Sequence, residues 1–244
     1  MPLKVNWEGV FPAIPTQFKE DLSIDIEATQ KHTEALVNNG IHGIVMLGTI
    51  GEGTSLTLSE KVEVLRATVE VAGGKVPVLS GIAEFTTQGA CDTVKAAGEA
   101  GVDGIMLLPA MVYKSDARET IAHFRTVANS THLPIMCYNN PPVYRVDITP
   151  EMFKELIDVE NIVVIKEASG DVRRITELFN ALNDRFLIFA GLDDVALESF
   201  MLGCTGWISG LVDAFPRENR ALWDAAMSGD YERALEIYRW YMPM

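Results

Sequence analysis

The stretch Val163-Val164-Ile165-Lys166-Glu167-Ala168-Ser169 sets a lysine inside a run that reads as a buried strand. Its β-branched apolar residues, bounded by Asn161 and Gly170, need not alternate with polar ones where both faces of a parallel sheet are covered. At period two, Val164, Lys166 and Ala168 share one face while Val163, Ile165 and Glu167 share the other. If the first face looks into a barrel, desolvation disfavours the ammonium form and leaves an amine able to form a Schiff base with a carbonyl. The competing reading is a lysine neutralised by a carboxylate or snorkelling from a strand end, since lysine is almost never fully buried without a partner.

Other apolar runs also end in groups that suit such chemistry. In Cys137-Tyr138-Asn139-Asn140-Pro141-Pro142 a phenol stands at a strand end. Beside an amine and a carbonyl it could donate to a carbinolamine and accept from a substrate hydroxyl, although strand tyrosines also serve as core packing. The glycines of Leu47-Gly48-Thr49-Ile50-Gly51-Glu52-Gly53 let backbone N–H groups approach a carboxylate, or simply make a tight turn. Asp193, Asp194 and Ser209 close two later runs and suit the hydroxyls of a polyol; a phosphate would call for glycine amides and cations there. Tyr113 could enter the mouth of its own barrel or reach across a subunit boundary, and Lys114 reads as a solvated loop residue. His32, His42, His123 and His132 are too scattered to assemble a metal site, and Cys91, Cys137 and Cys204 read as reduced core thiols.

The elements that must position these groups follow from hydrophobic patterning. Eight apolar runs, at 9–18, 43–49, 76–82, 104–109, 134–140, 162–169, 186–193 and 206–211, alternate with amphipathic stretches. That alternation predicts a parallel sheet with crossover helices. Helices are expected at 24–39, at 61–72 behind a Thr57-Leu58-Ser59-Glu60 capping box, and at 87–100 before Gly101. Further ones are expected at 117–130 behind Ser115 or Asp116, from Pro150 behind Thr149, and at 172–183, 196–202, 216–227 and 231–241. Eight such units in 244 residues favour a closed (β/α)8 TIM barrel, which takes about 250, over an open doubly wound sheet. No Gly-x-Gly-x-x-Gly follows the first run, which weakens the nucleotide-binding alternative. The barrel is expected over 1–212 and additional C-terminal helices over 213–244. In such a barrel the active site lies at the C-terminal ends of the strands, where all the groups above fall.

Composition narrows the partners. A formal net charge of −14 offers no basic field for nucleic acid or an anionic membrane. No apolar run approaches a membrane span, and the first residues lack the apolar stretch of a signal peptide, so a cytoplasmic location is expected.

Taken in order, Gly48-Thr49-Ile50-Gly51-Glu52, Tyr138-Asn139-Asn140-Pro141, Ile165-Lys166-Glu167-Ala168-Ser169-Gly170 and Gly191-Leu192-Asp193-Asp194 resemble the dihydrodipicolinate synthase / N-acetylneuraminate lyase family. The likeness runs from Gly9 to about Met242. It implies a TIM-barrel class I lyase that uses no metal or organic cofactor, with Lys166 condensing with the keto group of pyruvate or a related 2-oxo acid. Tyr138 would be the general acid/base, and Thr49 would link its hydroxyl to a second tyrosine, for which Tyr113 is the candidate. The amides of Thr49 and Ile50, following Gly48, would hold the carboxylate, and Ile208 would lie against the pyruvate moiety. The protonated imine then serves as electron sink for an enamine, from which carbon–carbon bond formation or cleavage, or loss of water or ammonia, can follow. A homo-oligomer, a tetramer of tight dimers or a dimer, is implied too, as are further C-terminal helices beyond this sequence.

The departures bear on the substrate. Ile50 replaces the second of two adjacent hydroxyl residues. Val143 stands where synthases of the lysine pathway carry an arginine, with Arg145 two positions on, and Tyr113 falls one position out of register. These changes favour a relative acting on another 2-oxo acid, such as a keto-deoxy sugar acid dehydratase, a hydroxyproline-pathway deaminase or a carbon–carbon aldolase, over the lysine-pathway synthase itself. A catalytically silent barrel that binds a 2-oxo acid would tolerate loss of the lysine and tyrosine, yet both are present. A metal-dependent aldolase would need clustered histidines and acids, which the sequence does not offer.

Overall fold

Each of the eight apolar runs forms a strand in the computed structural model, which describes residues 3–243. The strands are β1 (Gly9–Pro12), β2 (Ile44–Met46), β3 (Val78–Ile82), β4 (Gly104–Leu107), β5 (Ile135–Asn139), β6 (Ile162–Glu167), β7 (Leu187–Ala190) and β8 (Gly206–Ser209). All pair in parallel, in the order β1-β8-β7-β6-β5-β4-β3-β2. A bridge between Ala13 and Val45, with the bonds Ile14 N–H to Val45 O (3.0 Å) and His42 N–H to Val10 O (2.9 Å), joins β1 to β2 and closes the ring. The protein is a TIM barrel with C-terminal helices. Met1, Pro2 and Met244, at the outer ends of the two expected regions, lie outside the described residues.

The helices are α1 (Ile26–Asn38), α2 (Leu58–Ala72), α3 (Thr87–Ala100), α4 (Ala117–Asn129), α5 (Pro141–Tyr144), α6 (Pro150–Lys154), α7 (Arg173–Leu182), α8 (Ala196–Met201), α9 (Pro216–Ser228) and α10 (Tyr231–Tyr241). Thr57 and Glu60 form the expected capping box on α2. Asp116 rather than Ser115 caps α4, because Glu119 three residues on completes a second box with it. The single turn α5 has no counterpart in the amphipathic pattern. Asn140 caps it and Pro141-Pro142 fill its first positions, where a missing N–H costs nothing. Among the described residues no helix is long and apolar enough to cross a membrane.

Period-two alternation sorts the strand residues into two layers. Val10, Ile44, Ile105, Ile135, Ile165 and Ile188 face the helices, while Phe11, Val45, Leu79, Met106, Met136, Val164, Phe189 and Ile208 fill the barrel. The rings of Phe11 and Phe189 meet edge to face, centroids 5.4 Å apart. Gly43 and Gly206 make room for them, since a Cβ at either would fall within the facing ring. In β6 the register shifts: Ile135 pairs with Ile162 but Met136 with Val164. From Val164 onward the alternation predicted from sequence holds, and Lys166 points inward.

The strands are shorter than the apolar runs because their last residues peel away into the loops of the C-terminal face. Thr49 is therefore a loop residue, and Asp193 opens the short 3-10 turn Asp193–Val195. Helix α10 secures the turn after β7: the Tyr238 hydroxyl donates to Asp194 O (2.6 Å) and Glu198 Oε2 (2.8 Å), and the Tyr241 hydroxyl donates to Asp193 O (3.1 Å).

Candidate active site

Lys166 stands inside the barrel with 5% of its surface exposed. Register pairs it with Tyr138 on β5 and Phe189 on β7. Its Nζ lies 3.7 Å from the centroid of the Tyr138 ring. Burial pulls its pKa from the ordinary 10.5 down to about 7, against the opposing charge of Asp193. The neighbouring Glu167 does not neutralise it, because it sits on the other face of the strand. There Glu167 Oε2 accepts from Asn139 Nδ2 (3.0 Å) and Oε1 from the Ser169 amide (2.6 Å). Asn139 in turn reaches Asp147, which Arg174 holds through two bonds of 2.8 and 3.0 Å. This outer network fixes the ends of β5 and β6, and so the positions of Tyr138 and Lys166.

The Tyr138 hydroxyl accepts from Asn140 Nδ2 (2.9 Å), the same residue that caps α5. Tyr144, the last residue of that turn, packs edge to face on the Tyr138 ring with centroids 5.4 Å apart. Its hydroxyl is hydrogen-bonded to Thr49 Oγ1. Burial raises the pKa of both phenols, so both keep their protons at neutral pH. The second tyrosine beside Thr49 in this chain is thus Tyr144. Tyr113 is not brought to this group: it is 64% exposed, and its hydroxyl donates to Glu119 Oε1 (3.2 Å) at the start of α4. The sequence signal for Tyr144 was Asn140-Pro141-Pro142, an N-cap followed by prolines at the first helical positions. One helical turn from there carries residue 144 back over residue 138.

The loop after β2 has the form of an anion nest. Leu47 and Glu52 take positive φ, 58° and 51°. Gly51 fits against Leu47 N and Ile14 O, which a Cβ would approach to 2.8 and 2.9 Å. The Thr16 hydroxyl donates to Gly51 O (2.7 Å) and anchors the loop to the chain after β1. The amides of Thr49 and Ile50 enter no hydrogen bond among the described residues, which leaves two donors at the barrel mouth. Gly48 is buried and packs against Met106, whereas Ile50 is 47% exposed and reaches toward Gly210. Ile208 is buried in the inner layer.

The acidic and hydroxyl groups after β7 and β8 are turned more to the protein than to a polyol. Asp193 Oδ2 accepts from the amides of Gly210 (3.3 Å) and Leu211 (3.2 Å), and Ser209 Oγ accepts from the Val212 amide (3.1 Å). Asp194 is exposed. Among the described residues no group of three or more His, Cys, Asp or Glu side chains could hold a metal ion. Beside Tyr144 a cavity of about 190 Å³ opens between the loops after β4 and β5, lined by Val112, Tyr113, Lys114, Val143, Tyr144 and Arg145 among others.

A buried lysine drawn down to a pKa of about 7, a phenol in contact with it and free amides at the mouth of a TIM barrel define a carbonyl-handling enzyme of the imine-forming class. Comparison with known proteins places the chain within that class: residues 6–244 match the model of the dihydrodipicolinate synthetase family, and the chain belongs to it. It is a lyase of the Schiff-base-forming kind, as the resemblance implied. The 4-hydroxy-tetrahydrodipicolinate synthase of Methanospirillum hungatei is 35% identical over 241 residues, covering 98% of this chain and 82% of the relative. The solved dihydrodipicolinate synthase of Aquifex aeolicus superimposes with a TM-score of 0.92 at 34% identity, covering 96% of this chain and 80% of that one. A prophage protein of the same family from E. coli, solved in complex with pyruvate, superimposes with a TM-score of 0.91 at 28% identity, covering 96% and 80%.

Proposed function

We propose that the chain forms a Schiff base between Lys166 and pyruvate or a related 2-oxo acid and carries out aldol-type condensation or cleavage, dehydration or deamination from the resulting enamine. The observation that carries this reading is a lysine amine buried in the barrel, drawn down to a pKa of about 7 and stacked 3.7 Å from the ring of a protonated tyrosine. In this reading the 2-oxo acid carboxylate rests on the amides of Thr49 and Ile50, which have no partner among the described residues, with Gly48 giving the close approach and Ile208 flanking the three-carbon unit. Lys166 attacks the keto carbon as a free amine. Tyr138 delivers the proton that lets the carbinolamine lose water, and its hydroxyl is replenished along Tyr144 and Thr49 toward solvent. The pyruvate complex of the E. coli relative supports a 2-oxo acid of this size.

The second substrate enters over Tyr144. Val143, 57% exposed, leaves the cavity there without an arginine at that position, which favours a partner other than that of the lysine-pathway synthase. The name of the M. hungatei relative favours the other reading, synthesis of 4-hydroxy-tetrahydrodipicolinate itself. Asp194 and Ser209 flank the opposite side and remain candidates for substrate hydroxyls. The working form is proposed to be a cytoplasmic homo-oligomer that binds neither nucleic acid nor membrane and needs no cofactor.

A panel assay decides between these readings. Pyruvate consumption is followed with aspartate semialdehyde, pyruvate release and dioxo-acid formation with keto-deoxy sugar acids, and ammonia release with a hydroxyproline-derived imine acid, each for the unaltered chain and for Lys166→Ala. Turnover of one keto-deoxy or imine acid with none of the semialdehyde supports the lead reading. Turnover confined to the semialdehyde favours the synthase. Undiminished turnover by a folded Lys166→Ala protein removes both.

A further inference from the structure

The proton path beside Lys166 runs from a buried phenol to an exposed hydroxyl. Tyr138 is buried, Tyr144 is half-buried and Thr49 is exposed at the mouth of the barrel. Thr49 Oγ1 and the Tyr144 hydroxyl are hydrogen-bonded. Tyr144 packs on Tyr138 with ring centroids 5.4 Å apart, and the Tyr138 ring lies 3.7 Å from Lys166 Nζ. What each group does to its neighbour gives the hydrogen bonds a direction. Burial raises the Tyr138 phenol, and bonds from Asn140 and Tyr144 offset it. Burial and Tyr138 raise Tyr144, and a bond from Thr49 offsets them. A hydrogen bond that lowers a phenol is one donated to its oxygen. Thr49 therefore donates to Tyr144, and Tyr144 to Tyr138. With its oxygen accepting from Asn140 and Tyr144, Tyr138 has its own proton left for the substrate.

Tyr144 is held for this task by its own chain. Asn140 Nδ2 donates to the Tyr138 hydroxyl while Asn140 Oδ1 accepts from the Val143 amide (3.3 Å), so one side-chain amide sets both phenols. Pro141-Pro142 stiffen the turn, and the Tyr144 amide donates to Asn140 O (2.9 Å). Arg145 ends it at a φ of 64°, its amide donating to Pro141 O (2.9 Å). The Ile148 amide then donates to Asn139 Oδ1 (2.9 Å) at the end of β5. Both ends of the loop are thus tied to the strand that carries Tyr138, and ordering Tyr144 asks nothing of a neighbouring copy. Tyr113, the residue that could have crossed from one, is 64% exposed and bonded to Glu119 of its own chain. The Thr49 hydroxyl has one proton to give, and Tyr144 receives it.

We propose that this relay is complete within one chain, so that imine formation needs no residue from a second copy and its rate per chain does not depend on assembly. The inference rests on reading Lys166 as the reacting amine and Tyr138 as its acid/base, and it makes Tyr144 a positioning residue that acts through Tyr138. The Lys166 amine adds to the keto carbon, and a proton of the amine passes to the oxygen to give the carbinolamine. Its hydroxyl takes the Tyr138 proton and leaves as water, and the nitrogen lone pair closes the protonated imine. Tyr138 regains a proton from Tyr144, Tyr144 from Thr49, and Thr49 from solvent.

The test follows exchange of the pyruvate methyl protons for solvent deuterium by proton NMR, because an enamine formed on Lys166 exchanges them without a second substrate. Lys166→Ala and Tyr144→Phe chains carrying different tags are co-expressed, and hybrids are isolated through both tags. Tyr144→Phe alone should exchange about a hundredfold more slowly than the unaltered chain, with the half-saturating pyruvate concentration within about threefold, a split that a disrupted loop would not give. Hybrids should exchange no faster than the mean of the two parents. Were the tyrosine supplied across an interface, one site in each pair would regain both groups and about half of the unaltered rate would return; that recovery would overturn the proposal. Tyr113→Phe, at concentrations where the chain is fully assembled, should stay within about threefold of the unaltered rate, and a loss of about a hundredfold there would equally overturn it. If the chain sediments as a monomer and no hybrid forms, exchange by that monomer, abolished in Lys166→Ala, supports the proposal outright. An unaltered chain that yields a Lys166 adduct with borohydride but exchanges no methyl protons would overturn the relay alone. Neither adduct nor exchange would overturn the reading of Lys166 with it.

Discussion

Replacing Lys166 with methionine should stabilise the protein at low pH, and the gain should vanish as the pH rises. An amine whose pKa falls from 10.5 in the unfolded chain to about 7 in the barrel binds its proton less readily when folded. At about 1.4 kcal/mol for each pH unit, the folded state carries a penalty of roughly 5 kcal/mol at and below pH 7, where the unfolded chain keeps the proton. Between pH 7 and 10.5 the unfolded state binds more protons than the folded one, so stability rises with pH across that window and the penalty disappears near its top. Methionine has a similar volume and no charge, and it tolerates irregular inner packing. Urea unfolding of both proteins at about pH 6, 8 and 10 isolates the lysine, because all other titrating groups are common to the pair. Lys166→Met should be the more stable by several kcal/mol at the lowest pH, with the difference shrinking by most of that amount at the highest. Parallel curves would mean that Lys166 titrates alike folded and unfolded, and would refute the desolvation argument.

Three further substitutions probe the parts that position the lysine and tyrosine. Tyr144→Phe removes the hydroxyl bonded to Thr49 and should lower turnover by about a hundredfold, whereas Tyr113→Phe in the exposed loop should leave turnover of the dilute protein within about threefold; equal losses would contradict the placement. Asn140→Ala deletes both the cap of α5 and the donor to Tyr138, and should cost about 1–2 kcal/mol in urea unfolding together with a turnover loss larger than any change in pyruvate affinity. Gly206→Ala drives a Cβ into the Phe189 ring and should destabilise by about 3 kcal/mol or more; a neutral result would show that the inner layer can shift to admit it.

Most of the architecture was legible in the sequence because each apolar run is a complete strand signal. The eight runs, the capping box at Thr57 and the inward face of Lys166 were read from local patterns that the closed sheet does not override. The bulge that admits Val163 left no local trace, yet it did not disturb the reading, because the alternation resumes at Val164. What could not be read was contact between loops. Tyr113 and Tyr144 lie in different loops at similar distance from the barrel mouth, and one turn of helix, too short for any amphipathic period, decided which reaches Thr49. The setting of Asp193 was hidden for a similar reason. Asp193 was read as a substrate ligand from its place at a strand end, but its carboxylate accepts from the amides of Gly210 and Leu211, 17 and 18 residues later.

The central claim is that Lys166 is the amine that captures the substrate. Its most direct test is borohydride reduction of the protein in the presence of pyruvate, followed by peptide mass mapping. The expected result is one reduced three-carbon adduct per chain, carried by the peptide containing Lys166 and absent from Lys166→Ala. An adduct on another lysine, or none with pyruvate or any of the keto-deoxy acids, would contradict it.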